Sequence, residues 1–250
     1  MNDIIFTDRK KIRSLQAVRA MAFLGIFLFH SGVTAFSAGG VWGVSVFFIL
    51  SGFLMFYSYS GTDKIKECGI IYNLKFGVNK IKKLYLLHIV TMILAMPWIV
   101  KAIISGDILT SVIKTVLNIC LLQSWIPSAD IYFSLNGVSW YLSVSLFLYA
   151  MFPFVLRQIE KYDRIQNAIA AILIIYFLQI MMFFAVYCVQ TELFHDNALA
   201  HWFVYVFPLS RLGDFVIGCN LGYVFLNSTG KDCFDRKMST AMEGGVSLLF

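Results

Sequence analysis

The stretch IQNAIAAILIIYFLQIMMFFAVYCV, from Ile165 to Val189, contains no Asp, Glu, Lys, Arg or His. A bilayer's hydrocarbon core is about 30 Å thick, and about 20 apolar residues of helix cross it. The apolar residues run on without a polar residue at every second position, so a helix fits and a barrel strand does not. Comparable runs lie on either side, at residues 15–36, 40–59, 84–104, 136–156 and 202–226. Together they predict an all-α, polytopic transmembrane bundle of about six spans. Residues 111–125 are apolar but short and carry Lys114, which suits a re-entrant or interfacial segment. Residues 242–250 read as the start of a helix that does not finish. The expectation is a single transmembrane domain over 1–250, truncated at its C-terminal end.

Composition agrees with this reading. Hydrophobic residues make up 59% of the chain and charged residues 14%, against about 25% charged in soluble domains. A water-soluble fold of this make-up would expose large apolar patches. The net charge of +6 would suggest nucleic acid in a soluble protein. Here sixteen of the 20 Lys and Arg residues fall in the N-terminal tail and the segments 60–83, 157–164 and 227–240. These segments share one side if the N-terminus is cytoplasmic, the positive-inside pattern of a multi-pass inner or plasma membrane protein. Nucleic-acid binding is not expected. A crossing by residues 111–125 would move 157–164 to the other side and break the pattern. Residues 1–13 and the run that follows lack a small-residue cleavage site, so the first span reads as retained. The five cysteines form no CxxC pair and no metal-ligand spacing, and neither a metal nor a bound cofactor is expected.

Ionisable groups inside apolar runs are costly and mark candidate sites. Arg19 and His30 lie eleven residues apart, which brings their side chains to one helix face about 16 Å apart along the axis. A cation near the entrance and an imidazole further in suit a site that holds an anionic donor and deprotonates an acceptor. A snorkelling Arg19 and a His30 satisfied by a neighbouring helix fit the same residues. Gly40, Gly43, Ser45, Ser51 and Gly52 form a small-residue surface for close helix packing, with Ser51 as a polar contact for the donor. Lys80 and Lys83 share a helix face. They serve either as a cytoplasmic anchor or as a phosphate clamp for a donor such as coenzyme A, and His88 follows in the same region. Arg211 and Asp214 are spaced for an internal ion pair. His195 and His201 read as surface residues of an outer loop.

Taken in order, these pieces resemble the acyltransferase-3 family of bacterial integral-membrane O-acyltransferases. Arg19 and His30 fit its Arg/Lys-x10-His motif, and Gly43 to Gly52 fits its GxxxFFxxSG pattern. Lys80-Ile81-Lys82-Lys83-Leu84-Tyr85 stands where the family has Arg-x-x-Arg before Ile-Tyr-Pro. Leu122-Gln123-Ser124-Trp125 and Ser139-Trp140-Tyr141-Leu142-Ser143 resemble its tryptophan motifs. Pro208 to Phe215 resembles its Pro-x-x-Arg-x-x-Glu/Asp-Phe segment. The resemblance runs from about residue 13 to 226. It departs at Lys80 and Lys83, which replace arginines; at Leu86, which replaces proline; and at Ser145, which replaces a glutamate.

The resemblance implies transfer of an acyl group, acetyl in particular, from acyl-CoA to a sugar hydroxyl of a surface polysaccharide or lipid-linked glycan. The implied catalytic residues are His30, as general base, and Arg19, which orients donor or base. Lys80, Lys83 and Ser51 would meet the donor, with Trp140, Arg211 and Asp214 in support. Acyl-CoA is then a donor substrate and not a bound cofactor, and the partners are the carbohydrate acceptor and the bilayer. A proton-coupled transporter and an inactive truncated family member are the rival readings. The oligomeric state is not read from the sequence.

Overall fold

The computed structural model describes residues 12–32, 39–62, 65, 69–189 and 197–228, and every element in them is helical. In chain order they are α1 (Arg13–His30), α2 (Gly39–Tyr59), α3 (Ile70–Ile104), α4 (Ile108–Ile119), the short α5 (Ala129–Tyr132), α6 (Trp140–Ile159), α7 (Ile165–Val189), the short α8 (Asn197–His201) and α9 (Pro208–Asn227). A 3-10 turn at Gln123–Trp125 precedes α5, and a π-turn at Trp202–Val206 precedes α9.

Among the described residues, five stretches are long and apolar enough to cross a bilayer: Trp42–Tyr59, Ile70–Ile104, Trp140–Ile159, Ile165–Val189 and Ala198–Asn227. The apolar part of α1, Ser14–His30, and α4 are shorter. The bundle is that of a multi-pass membrane protein, and its unshielded apolar surfaces on α3 and α7 are what lipid covers.

Three boundaries differ from the sequence expectation, each for a local reason. The hydropathy of the sequence carries the first span to residue 36, but α1 ends at His30. Ser31 and Gly32 close it, with Gly32 at φ 77° and its N–H donating to the Phe29 carbonyl at 3.2 Å. A left-handed glycine just past the last turn is a common helix stop. The third helix starts at Ile70 instead of near residue 84. The basic stretch up to Lys83 holds good helix formers interleaved with Ile70, Ile71, Leu74 and Val78, so it winds into α3 instead of forming a loop. At about 1.5 Å per residue, the 35 residues of α3 exceed the bilayer core, and the lysine-bearing turns extend past it. The last span is broken. Phe207 is extended, at φ −65° and ψ 127°, because the ring of Pro208 disfavours helical backbone in the residue before it. Proline then sits at the first position of α9, where its missing N–H costs nothing. Residues 242–250 and His195 lie outside the described residues.

The chain divides into two units. The first comprises Met1–Lys66, Val155–Ile175 and Asp214–Phe250; the second comprises Glu67–Phe154 and Tyr176–Gly213. In the first, α2 is the hub. Leu15, Leu50 and Phe53 form a buried cluster with Val18, Val46, Tyr57 and Phe225 around it. Small residues set the approach of its helices. A Cβ at Gly43 would come 2.9 Å from the Ala22 carbonyl oxygen of α1, and a Cβ at Gly52 or Gly218 would overlap the carbonyl oxygens of Phe215 and Ile49 respectively. In the second unit a Cβ at Gly77 of α3 would lie 2.9 Å from the Ala150 nitrogen of α6. In lipid, packing of this closeness replaces the hydrophobic drive that holds a soluble core.

Candidate functional site

Arg19, His30, Ser51 and Asp214 belong to the first unit; Lys80, Lys83, Trp140 and Arg211 belong to the second.

Arg19 sits in the second turn of α1 and is half-buried. His30 is the last residue of that helix and is exposed. Its Nδ1 lies 2.8 Å from the Ile26 carbonyl oxygen. A carbonyl can only accept, so Nδ1 carries the hydrogen, and in the neutral ring Nε2 is left with its lone pair outward. The ring also meets the edge of Phe29 at 5.0 Å between centroids. The end of α1 thus presents an imidazole whose Nδ1 is tied to the backbone. The sequence places His30 deeper along the first span than Arg19; here it is the last residue of α1. Ser51 is half-buried on α2, one residue before the Gly52 crossing.

Asp214 is 7% exposed and Arg211 6% exposed, three residues apart on α9. Arg211 serves the break before that helix. Its Nε donates to the Tyr205 carbonyl at 2.8 Å, and its guanidinium lies over the Tyr205 ring at 4.7 Å. That carbonyl belongs to the π-turn, where the regular ladder is disturbed and an outside donor is needed. Trp140, 6% exposed, packs against the same Tyr205 ring at 5.0 Å. His201 is exposed, as the sequence suggests.

Lys80 and Lys83 are exposed on α3. The buried stripe of that helix is Gly77, Ile81, His88 and Met92, and neither lysine belongs to it. Lys80 Nζ lies 5.4 Å from the Phe76 ring centre. Lys114, the one charge in α4, is paired with Asp130 at 2.7 Å, which explains how a lysine is carried by a short apolar helix. Outside the spans, burial and then the neighbouring Tyr223 push the Tyr162 phenol up, so it holds its proton. Among the described residues no three His, Cys, Asp or Glu side chains gather into a metal-binding group.

Sequence reasoning missed the polar interior of the second unit. Ser124 Oγ donates to the Trp140 carbonyl at 2.9 Å, Gln123 Nε2 to the Ser139 carbonyl at 3.2 Å, and Trp202 Nε1 to the Ser124 carbonyl at 2.9 Å. The two tryptophan motifs are therefore bound to each other in register, Gln123 to Ser139 and Ser124 to Trp140. The signal available beforehand was the pair of Ser-Trp dipeptides. Ser143 Oγ donates to the Leu121 carbonyl at 2.6 Å, holding a residue with φ 54°. Ser143→Ala leaves that carbonyl unpaired, a cost of about 1–3 kcal/mol. The expected result is a melting temperature about 2–12 °C lower in detergent, read by thermal unfolding; an unchanged midpoint would refute it. Ser145, at the place of the family's glutamate, is buried and donates to the Tyr141 carbonyl at 2.8 Å.

The sequence profile of a family described as an acyltransferase domain matches residues 12–232. Among curated proteins, acyltransferase MdmB of Streptomyces mycarofaciens is 29% identical over 168 residues, covering 60% of this chain and 41% of that protein. O-acetyltransferase OatA of Staphylococcus aureus is 22% identical over 241 residues, covering 92% of this chain and 37% of its own length. The chain thus spans about two fifths of the length of these relatives. No solved structure matches.

Proposed function

The chain belongs to the acyltransferase domain family, and on that premise we propose that it is a membrane O-acyltransferase that moves an acetyl group from acetyl-CoA to a carbohydrate hydroxyl. The observation that carries this reading is His30, whose Nδ1 bond to Ile26 leaves Nε2 as a ready base. Nε2 takes the proton of the acceptor hydroxyl as its oxygen attacks the thioester carbonyl. The C–S bond then breaks, and the proton passes to the departing thiolate, giving the O-acyl ester and free coenzyme A. Arg19, on the same helix, steadies negative charge on the donor. Lys80 and Lys83 attract its phosphates as point charges. The relative named an O-acetyltransferase supports acetyl as the group moved. The glycan acceptor rests on the family resemblance alone. The clustering of basic residues supports a cytoplasmic N-terminus in the cell membrane.

The transporter alternative asks for broken helices at matching places in two repeats. The break at Phe207 has no counterpart in α2, α3, α6 or α7, each of which is continuous.

Labelled acetyl-CoA supplied to membranes that contain the chain tests the reading: label should enter the carbohydrate fraction of the envelope, and its absence with protein present would reject it. In the same assay Lys83→Ala should raise KM for acetyl-CoA about tenfold with kcat little changed, because a phosphate contact acts on donor binding. A fall in kcat alone would contradict that role. Raising salt should narrow the gap between Lys83→Ala and the parent.

A further inference from the structure

One part of the second unit gathers aromatic rings from two distant stretches of chain. Tyr132, the last residue of α5, is 1% exposed. The Phe133 ring meets it edge-on at 4.5 Å and is itself 42% exposed. His201, the last residue of α8, lies 6.3 Å from Tyr132 and 6.0 Å from Phe133 between ring centres. It is exposed. Its Nδ1 is 3.4 Å from the Tyr132 hydroxyl, and its Nε2 has no hydrogen-bond partner among the described residues. Tyr205 packs on the same imidazole at 5.1 Å, and Trp140 and Arg211 pack on Tyr205 in turn. Phe133 and His201 are thus the accessible edge of a cluster whose other members are buried or half-buried.

This edge has the chemistry of a sugar-binding surface. An aromatic face carries negative charge and attracts the slightly positive C–H bonds that line one face of a sugar ring. A hydroxyl both donates and accepts, so it can meet Nε2 in either neutral tautomer of His201. Arg211 is 6% exposed and donates to the Tyr205 carbonyl, so an anionic phosphate is poorly served here. The cluster fixes both exposed rings beforehand, which lowers the ordering cost of binding. Its position also fits. Asn136, just beyond Phe133, donates from Nδ2 to Thr91 Oγ1 at 3.0 Å. Thr91 stands about 12 Å along α3 from Lys83. The rings are thus set apart from the lysines proposed to meet the donor, as a separate acceptor site requires.

We infer that Phe133 and His201 bind the acceptor carbohydrate: its sugar ring stacks on Phe133, and one of its hydroxyls hydrogen-bonds His201 Nε2. That this sugar is the acceptor rests on the acyl-transfer reading.

The full chain in nanodiscs tests this by saturation-transfer NMR, with the aromatic protons of the protein irradiated. The probe is chitotriose, a linear trisaccharide of N-acetylglucosamine whose equatorial substituents leave its C–H faces flat. The expected result is transfer to the ring C–H protons of the sugar with the parent protein. Phe133→Leu and His201→Ala should each weaken binding about tenfold, while Phe133→Trp and His201→Gln should keep most of it. Phe133 is exposed, so neither of its substitutions disturbs a packed core. A Phe133→Leu protein that binds as the parent does would show that this ring only meets lipid, and would overturn the inference. A His201→Gln protein as weak as His201→Ala would overturn the hydrogen bond assigned to His201. No transfer from the parent would overturn the site altogether. Acetyl label transfer to envelope carbohydrate, measured on the same proteins, separates the two readings. Label transfer that Phe133→Leu and His201→Ala leave unchanged, with no sugar binding, removes this site and keeps the enzyme. Ring-dependent sugar binding without label transfer keeps the site and removes the enzyme.

Discussion

Gly52→Ala should lower the melting temperature of the purified protein by roughly 10 °C, and Gly52→Leu should leave no folded protein in the membrane. The reason lies at the crossing of α2 and α9. A Cβ at Gly52 would fall on the Phe215 carbonyl oxygen, and a Cβ at Gly218 on that of Ile49. The two glycines thus hold the backbones of both helices in direct contact. The obstacle in each case is main chain, which cannot swing aside as a side-chain tip can. The helices must separate, and Cys219, whose Sγ donates to the Gly52 carbonyl at 3.4 Å, moves with them. Overpacking costs typically about 1–3 kcal/mol, and more where backbone must shift; at 3 kcal/mol a chain of this size loses about 6–12 °C. Gly218→Ala should cost a similar amount. The double variant should cost less than the two together, because separation forced by one methyl makes room for the other. Thermal unfolding in detergent measures all three. A Gly52→Ala protein as stable as the parent would show that the crossing is not tight.

This crossing also shows what the sequence can and cannot tell. Gly43 and Gly52 stand out in an otherwise bulky apolar run, and their packing role was legible from composition. Their partners were not, since nothing in the sequence ties Gly52 to Phe215, 163 positions on. Element limits follow the same division. α7 was read residue for residue, because its ends are set by a local change from apolar to polar. For α1 and α9 hydropathy alone gives limits that are too long or too smooth, because the backbone preferences of Gly32 and Pro208 set the actual breaks. At the site, the spacing of Arg19 and His30 was legible, as helical periodicity alone fixes it. The tautomer of His30 was not, because it depends on where α1 stops. The Asn118, Ser139 and Gln123 bonds join segments that only tertiary packing brings into register, so no local pattern announces them.

His30→Ala should reduce acyl transfer by about 10²- to 10⁴-fold, the range for loss of a general base, while the protein still accumulates in the membrane. The second half of that expectation follows from position. His30 is exposed and ends its helix, so its removal leaves no buried cavity. Its bond to the Ile26 carbonyl is lost at a helix end, where water can take over. His30→Gln sharpens the test. An amide can keep a donor near Ile26 but has no nitrogen lone pair to accept a proton, so it should be nearly as inactive as alanine if proton abstraction is the role. If the imidazole only fills space or orients a neighbour, glutamine should recover much of the rate. Rates for both variants, normalised to protein in the membrane, separate these cases, with kcat falling and KM for acetyl-CoA little changed. Full transfer by His30→Ala would remove the proposed base altogether.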